Sequence, residues 1–91
     1  MHCLFAVVFV LQSATIIDVQ RNHEVTLALQ IGDVIHTAEF SRHALKHESL
    51  IEGDHVLAEV RDGKMTVKRK DEKTVSGRVI WEQRVLVHPH P

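Results

Sequence analysis

Alternation of apolar and polar residues, interrupted by glycine-containing turns, is the feature that most constrains what this chain can fold into. In "EVTLALQI", residues 24–31, every second side chain is apolar: Val25, Leu27, Leu29 and Ile31. Successive side chains of a β-strand point to opposite sides, so this pattern predicts a strand with one face in a core. The same period recurs along most of the chain, which predicts a mainly β protein.

A glycine-containing dipeptide predicts the first hairpin. Gly32-Asp33 suits a two-residue loop, since glycine readily adopts the positive φ that such loops require. It joins the strand above to "VIHTAEF", residues 34–40. The resulting register predicts three cross-strand pairs: Leu27 with Ala38, Val25 with Phe40, and Leu29 with His36. His36 is therefore expected on the apolar face, where a single histidine is more often a hydrogen-bonded core residue than a metal ligand.

A second hairpin is predicted at Asp62-Gly63, the strongest short hairpin signal in the sequence. This turn lies between "HVLAEVR" and "KMTVKRK". One face of the hairpin is apolar and consists of Val56, Ala58, Val60, Met65 and Val67. The opposite face is mainly polar and consists of Leu57, Glu59, Arg61, Lys64, Thr66 and Lys68.

Both ends of the chain carry an additional predicted strand. The apolar run at about residues 3–11 is rich in β-branched and aromatic residues, which suits a strand buried on both faces. It is too short to span a membrane as a helix. A secretory signal peptide is the alternative, but no basic residue precedes the run, so we expect a cytoplasmic protein. The last strand, about residues 74–87, places apolar side chains on its odd-numbered face: Val75, Val79, Trp81, Val85 and Val87.

A short helix is predicted at about residues 41–48. Ser41 is a suitable N-cap, and "RHALKHES" supplies about two turns before Gly53-Asp54 breaks the chain. Three strands, a helix and two strands is the order of an OB-like β-barrel. We therefore predict that residues 1–91 form a single OB-like domain with one extra strand at each terminus. An SH3-like or other small barrel fits the periodicity nearly as well.

The distribution of charge bears on nucleic-acid binding. The chain has 11 Lys and Arg residues against 12 Asp and Glu residues, which argues against a general polyanion binder. Residues 64–78 are nevertheless locally basic, with two acidic residues among six basic ones: Lys64, Lys68, Arg69, Lys70, Lys73 and Arg78. These six are the candidate contacts to a phosphate backbone. The lone Cys3 excludes an internal disulfide.

The stretch from Val25 to Val60 resembles the TOBE/MOP family of small OB-type modules, which bind molybdate or molybdopterin. Two elements of that family's pattern are present. The first is Thr37-Ala38-Glu39-Phe40-Ser41, and the second comprises Leu50, Gly53, Asp54, Val56, Ala58, Val60 and Arg61. The resemblance implies binding of a small oxyanion such as molybdate, for which the candidate residues are Ser13, Ser41 and Arg61. A helix beginning at Ser41 would add unsatisfied backbone N–H groups to such a site.

The same segment also resembles the small bacterial translation initiation factor that has an OB barrel. The matching residues are Thr37, Ala38, Ser41, Gly53, Asp54, Val56 and Glu59. This second resemblance implies RNA contact on the barrel face. OB barrels stack bases on exposed aromatic side chains. Phe40 and Trp81 are both expected in the core, which leaves few such surfaces.

No arrangement of residues predicts catalysis or a metal centre. His43 and His47 are four residues apart, a spacing that places two imidazoles on one helix side. Two ligands do not complete a zinc site, so they are weak candidates and no metal is expected. Since no nucleophile and base can be paired by spacing, we expect a protein that is not an enzyme.

The sequence thus favours a small binding module for an oxyanion or a partner protein, with no membrane association. An RNA or single-stranded nucleic-acid binder is the alternative, and a self-associating structural domain is the third interpretation. An apolar terminal strand invites pairing with another strand, so we expect a homo-oligomer formed through the terminal strands.

Overall fold

Six antiparallel strands close into a barrel in the computed structural model, which describes residues 10–85. The strands are β1 (Gln12–Arg21), β2 (Glu24–Ile31), β3 (Val34–Ser41), β4 (His55–Arg61), β5 (Lys64–Lys68) and β6 (Thr74–Arg84). They follow one another around the barrel in the order β1-β2-β3-β6-β5-β4, and β1 pairs with β4 to close it. The prediction of a small, mainly β barrel is confirmed.

Both predicted hairpins are confirmed, together with their registers. The β2–β3 ladder includes the three predicted pairs: Leu27 with Ala38, Val25 with Phe40, and Leu29 with His36. In the β4–β5 hairpin, Val60 faces Met65 and Arg61 faces Lys64. Asp62 and Gly63 both have positive φ, 52° and 73°, which is the conformation that a two-residue loop of this type requires.

The last strand is an integral part of the barrel wall and not an addition to a five-stranded barrel. One edge of β6 pairs with β3, where Ala38 faces Val79, and its other edge pairs with β5, where Val67 faces Val75. Without β6 the barrel would be open between β3 and β5. The predicted strand at about residues 74–87 is thus observed over Thr74–Arg84. Most of the predicted N-terminal strand, residues 3–9, lies outside the described residues, and β1 begins just after it.

The core fills the barrel from the inward faces of the strands. Its fully buried members include Ile16 of β1, Leu27 and Leu29 of β2, and Phe40 of β3. The apolar face of the second hairpin also contributes to the core, as predicted: Ala58, Met65 and Val67 are buried. Thr66 is the exception on the polar face, since it is buried while its hydroxyl lies 3.0 Å from that of Ser76.

Trp81 lies outside the core, which corrects the assignment made from the alternation of the last strand. Its side chain is 64% exposed. The reason is a β-bulge: Val79 faces Ala38 and Trp81 faces Thr37, so Ile80 is an extra residue in β6. One inserted residue transfers all later side chains to the opposite face of the strand. Val79 therefore packs against the core while Trp81 points outward.

The predicted helix at about residues 41–48 is wrong. Ser41 ends β3, and residues 42–47 form successive turns. The backbone N–H of Ala44 donates to Ser41 O and that of Glu48 to Leu45 O, both spanning three residues and not the four of an α-helix.

Two arginines from the barrel donate hydrogen bonds to backbone carbonyls of this segment. Arg21 donates to the carbonyls of Leu45 (3.1 Å) and Glu48 (2.7 Å), and Arg69 donates to that of Ala44 (3.1 Å). A two-turn helix is marginal by itself, so these long-range contacts decide the conformation. Within residues 10–85 no helix is long and apolar enough to cross a membrane.

Candidate ligand-binding site

A cavity of about 390 Å³ opens at one end of the barrel, between residues 45–50 and the adjoining parts of β4 and β5. We call it the end cavity. It is lined by Leu45, Glu48, Ser49, Leu50, His55, Val56, Leu57, Val67, Lys68, Arg69, Lys70 and Glu72. Its volume falls in the range typical of small-molecule sites. The barrel therefore offers a concave surface built from three separate chain segments.

One side of the end cavity is apolar. Leu45 and Val67 belong to the buried core, and Leu50 and Val56 pack against it. Leu57 is 42% exposed at the outer side of β4. These side chains cannot hydrogen-bond, so this side suits the hydrocarbon part of a ligand.

The other side of the end cavity carries charges. Lys68 Nζ lies 2.5 Å from Glu72 Oε2, and Arg69 forms an ion pair with Asp71. The backbone N–H of Lys70 donates to Glu48 Oε1 at 2.8 Å. Among the described residues, the ammonium group of Lys70 forms no ion pair, so it is the lining cation best able to meet an anion.

The ion pair between Arg69 and Asp71 holds the turn that carries these cations. It should also make the stability of the fold depend on pH. The hydrogen bonds from Arg69 lower the pKa of Asp71 to about 2, helped by the backbone N–H of Lys73 and opposed by desolvation. A folded-state pKa below the usual 3.8 means that the pair stabilises the fold above about pH 4. That contribution is lost as the pH falls towards 2. Carboxyl ¹³C NMR should give this low midpoint, and Arg69→Gln should return it to near 4. A normal midpoint in the parent protein would disprove the pairing.

The structure does not gather the three candidate residues for an oxyanion. Ser13 lies on β1 opposite Leu57, and Ser41 ends β3 opposite Glu24. Arg61 ends β4, four residues beyond Leu57, which corresponds to about 13 Å of strand. Because the helix that should begin at Ser41 is not formed, Ser41 does not lie at a helix N-terminus.

The six basic candidates fall into two groups. Lys64 and Arg78 face each other on β5 and β6 and line a cavity of about 340 Å³. Glu39 lies 3.7 Å from the Arg78 guanidinium and lines the same cavity. The other four lie at or just after the end of β5, in and beside the end cavity: Lys68, Arg69, Lys70 and Lys73.

The two histidines of the weak metal candidate do lie near each other. His43 and His47 line a cavity of about 240 Å³ together with Glu48, Arg69 and Asp71. Asp71 is occupied by Arg69, and no group of three or more potential ligands is arranged for a metal within residues 10–85. His36 lies apart from these two histidines. Its Nδ1 is 2.6 Å from Glu82 Oε2, but this contact does not have the geometry of a hydrogen bond.

Sequence reasoning named Lys68, Arg69 and Lys70 as phosphate contacts but missed the other residues of the end cavity, among them His55 and Leu57. His55, Leu57 and Lys70 approach one another only because β1 closes the barrel against β4 and residues 42–54 fold over its end. No local spacing encodes that arrangement. The sequence does carry one signal: Leu57 is a large apolar residue on the otherwise polar face of the second hairpin, and apolar side chains at the surface can mark a binding region.

No protein-family model matches the chain, and no curated protein or solved structure matches it significantly.

Proposed function

We propose that this protein is a non-enzymatic, OB-like binding module whose end cavity holds a small organic anion. The ligand has a compact apolar body and a carboxylate or phosphate group. The observation that carries the proposal is the division of the end cavity into an apolar side and a cationic side. Binding sites for small molecules commonly combine mostly apolar walls with a few placed polar groups.

The charges of the end cavity favour an anion. Three cations, Lys68, Arg69 and Lys70, line it against the carboxylates of Glu48 and Glu72. Lys68 and Arg69 already have carboxylate partners, so the positive charge for a ligand comes from Lys70, which forms no ion pair within residues 10–85. Ser49 and His55 add polar groups at the same rim. An anionic group at Lys70 would gain a charge-assisted hydrogen bond.

The apolar side favours an organic anion over a bare oxyanion such as molybdate. A desolvated oxyanion needs hydrogen-bond donors around most of its surface. The accessible apolar side chains of the lining, Leu50, Val56 and Leu57, offer none. A ligand with a hydrocarbon body would instead bury that body against these side chains and direct its charged group to Lys70.

The test is an amide chemical-shift titration with hexanoate, sulfate and molybdate as separate probes. We expect hexanoate to shift the amides of Ser49, Leu57 and Lys70, with smaller shifts from the two inorganic anions. Lys70→Gln should weaken hexanoate binding about fivefold, since one charge-assisted contact contributes on the order of 1 kcal/mol. Lys73→Gln is the matched control, because Lys73 belongs to the same turn but does not line the cavity. Absence of shifts with millimolar hexanoate would refute the proposal.

A second candidate function, binding of single-stranded nucleic acid, is favoured by the outward position of Trp81. Trp81 faces Thr37, and Arg78 faces Glu39 two residues further along β3, so both side chains lie on one face, opposite backbone positions about 7 Å apart. An exposed aromatic ring beside a cation suits a base and its phosphate. This candidate ranks second because Glu39 offsets the charge of Arg78. In the same titration, an oligothymidylate should shift Lys64, Arg78 and Trp81 and leave the end cavity unchanged.

A further inference from the structure

The exposed edge of β6 is the starting point for an inference that does not depend on the proposed ligand. Strand β5 accompanies β6 only as far as Arg78, and the last contact on that side is Val79 N–H to Gly63 O. Beyond it, residues 81–84 pair with β3 on one side and have no strand on the other among the described residues. Two large apolar side chains are exposed at this edge, Ile80 at 44% and Trp81 at 64%. Such an edge can pair with a further strand.

The hydrogen bonds to β3 determine which groups face that edge. Val85 N–H donates to Asp33 O, so the backbone groups of Val85 point towards β3. In an antiparallel ladder this direction alternates from one residue to the next. The N–H and C=O groups of Glu82 and Arg84 therefore point away from β3, towards the open edge.

We propose that this edge pairs with the same edge of a second copy of the chain, in an antiparallel arrangement about a two-fold axis centred on Gln83. Glu82 of each protomer then faces Arg84 of its partner, and the backbone groups that point to the edge bond to each other. Trp81 faces the partner's Val85. Two opposite-charge pairs and two aromatic–aliphatic pairs form across the axis, each of a kind that stabilises antiparallel ladders.

Charge complementarity selects this register over its neighbour. A two-fold axis centred on Glu82 would place the two Glu82 carboxylates opposite each other, and like charges in that position are destabilising. In the Gln83-centred register the partner's Arg84 faces Glu82, whose Oε2 lies 2.6 Å from His36 Nδ1. The partner's Arg84 would then complete a His36–Glu82–Arg84 group. Closed two-fold dimers are the commonest homo-oligomers, and this pairing covers the edge from Trp81 to Val85.

Sedimentation equilibrium on the full chain, with charge-reversal variants, tests this dimer. We expect reversible dimerisation, with Arg84→Glu raising the dimer Kd at least about tenfold, since like charges would then face each other twice across the axis. The double variant Glu82→Arg/Arg84→Glu should restore dimerisation, because each reversed charge again meets its opposite in the partner.

Lys46→Glu is the control for the change in net charge, since Lys46 is exposed and lies far from β6 in the sequence, and it should leave the Kd nearly unchanged. A monomer at several hundred micromolar would overturn the proposal. So would a dimer insensitive to Arg84→Glu, because it would have to form through another surface. Failure of the double variant to dimerise would equally refute the pairing of Glu82 with the partner's Arg84.

Discussion

Gly77→Ala should destabilise the barrel by about 2 to 3 kcal/mol, an effect at the upper end for adding one methyl group to a packed core. A Cβ at position 77 would lie 2.6 Å from Glu39 O and 2.8 Å from two ring atoms of Phe40. The carbonyl belongs to β3, whose pairing with β6 holds it in place, and Phe40 is 1% exposed. Neither neighbour can move without breaking the ladder or displacing core side chains. Urea unfolding followed by circular dichroism measures the change.

Gly32→Ala is the matched control for this substitution. Gly32 has a φ of +63°, and a methyl group at this position would meet no other atom within 4 Å. Its substitution should cost about 1 kcal/mol from backbone strain alone. Equal losses of stability in the two variants would mean that steric contact with Phe40 is not what excludes a side chain at residue 77.

The hairpins could be predicted from the sequence because their determinants are local. Gly32-Asp33 and Asp62-Gly63 fix two registers, and the alternation on each side then decides which side chains enter the core. The predicted inward positions of Val25, Leu27 and Phe40 follow from that logic, and all three are buried. The pairings of β3 with β6 and of β1 with β4 could not be derived in the same way, since they join strands that are distant in the sequence.

Two predictions failed where long-range contacts override local pattern. The bulge at Ile80 lies in the ladder between β3 and β6 and moves Trp81 to the surface. No turn residue in the sequence marks its position. The sequence "RHALKHES" has an acceptable helical composition, but Arg21 and Arg69 bind its carbonyls from other parts of the barrel. Helix propensity, which depends on local sequence, does not take such tertiary hydrogen bonds into account.

The candidate site was the least predictable part for the same reason. A role for Ser41 in anion binding depends on a helix N-terminus, and that helix does not form. The basic residues are evident in the sequence, but the acidic partners of Lys68 and Arg69 are evident only in the fold. The apolar side of the end cavity combines Leu45 and Leu50 with residues of β4 and β5, and only the folded barrel brings them together.

Leu45→Ala should cost about 2 to 4 kcal/mol, the usual range for truncating a buried leucine. Leu45 lies in a segment of turns but is completely buried in the core, so it closes the end of the barrel. The hydrogen bonds from Arg21 and Arg69 hold the backbone of this segment in position, which prevents it from collapsing into the space left by the side chain. Urea unfolding gives the loss of stability, and hydrogen exchange at the amide of Ala44, bonded to Ser41 O, reports local release of the segment.

Leu57→Ala is the control for the loss of leucine carbons, since Leu57 is 42% exposed and lines the same cavity from β4. It should cost less than about 1 kcal/mol, as truncations at exposed positions usually do. Equal losses in the two variants would mean that Leu45 does not close the barrel end. If Leu45→Ala instead accelerates exchange at Ala44 with little change in global stability, residues 42–54 unfold independently of the strands. In that case the end cavity exists only while this segment is docked, and ligand binding would be coupled to its docking.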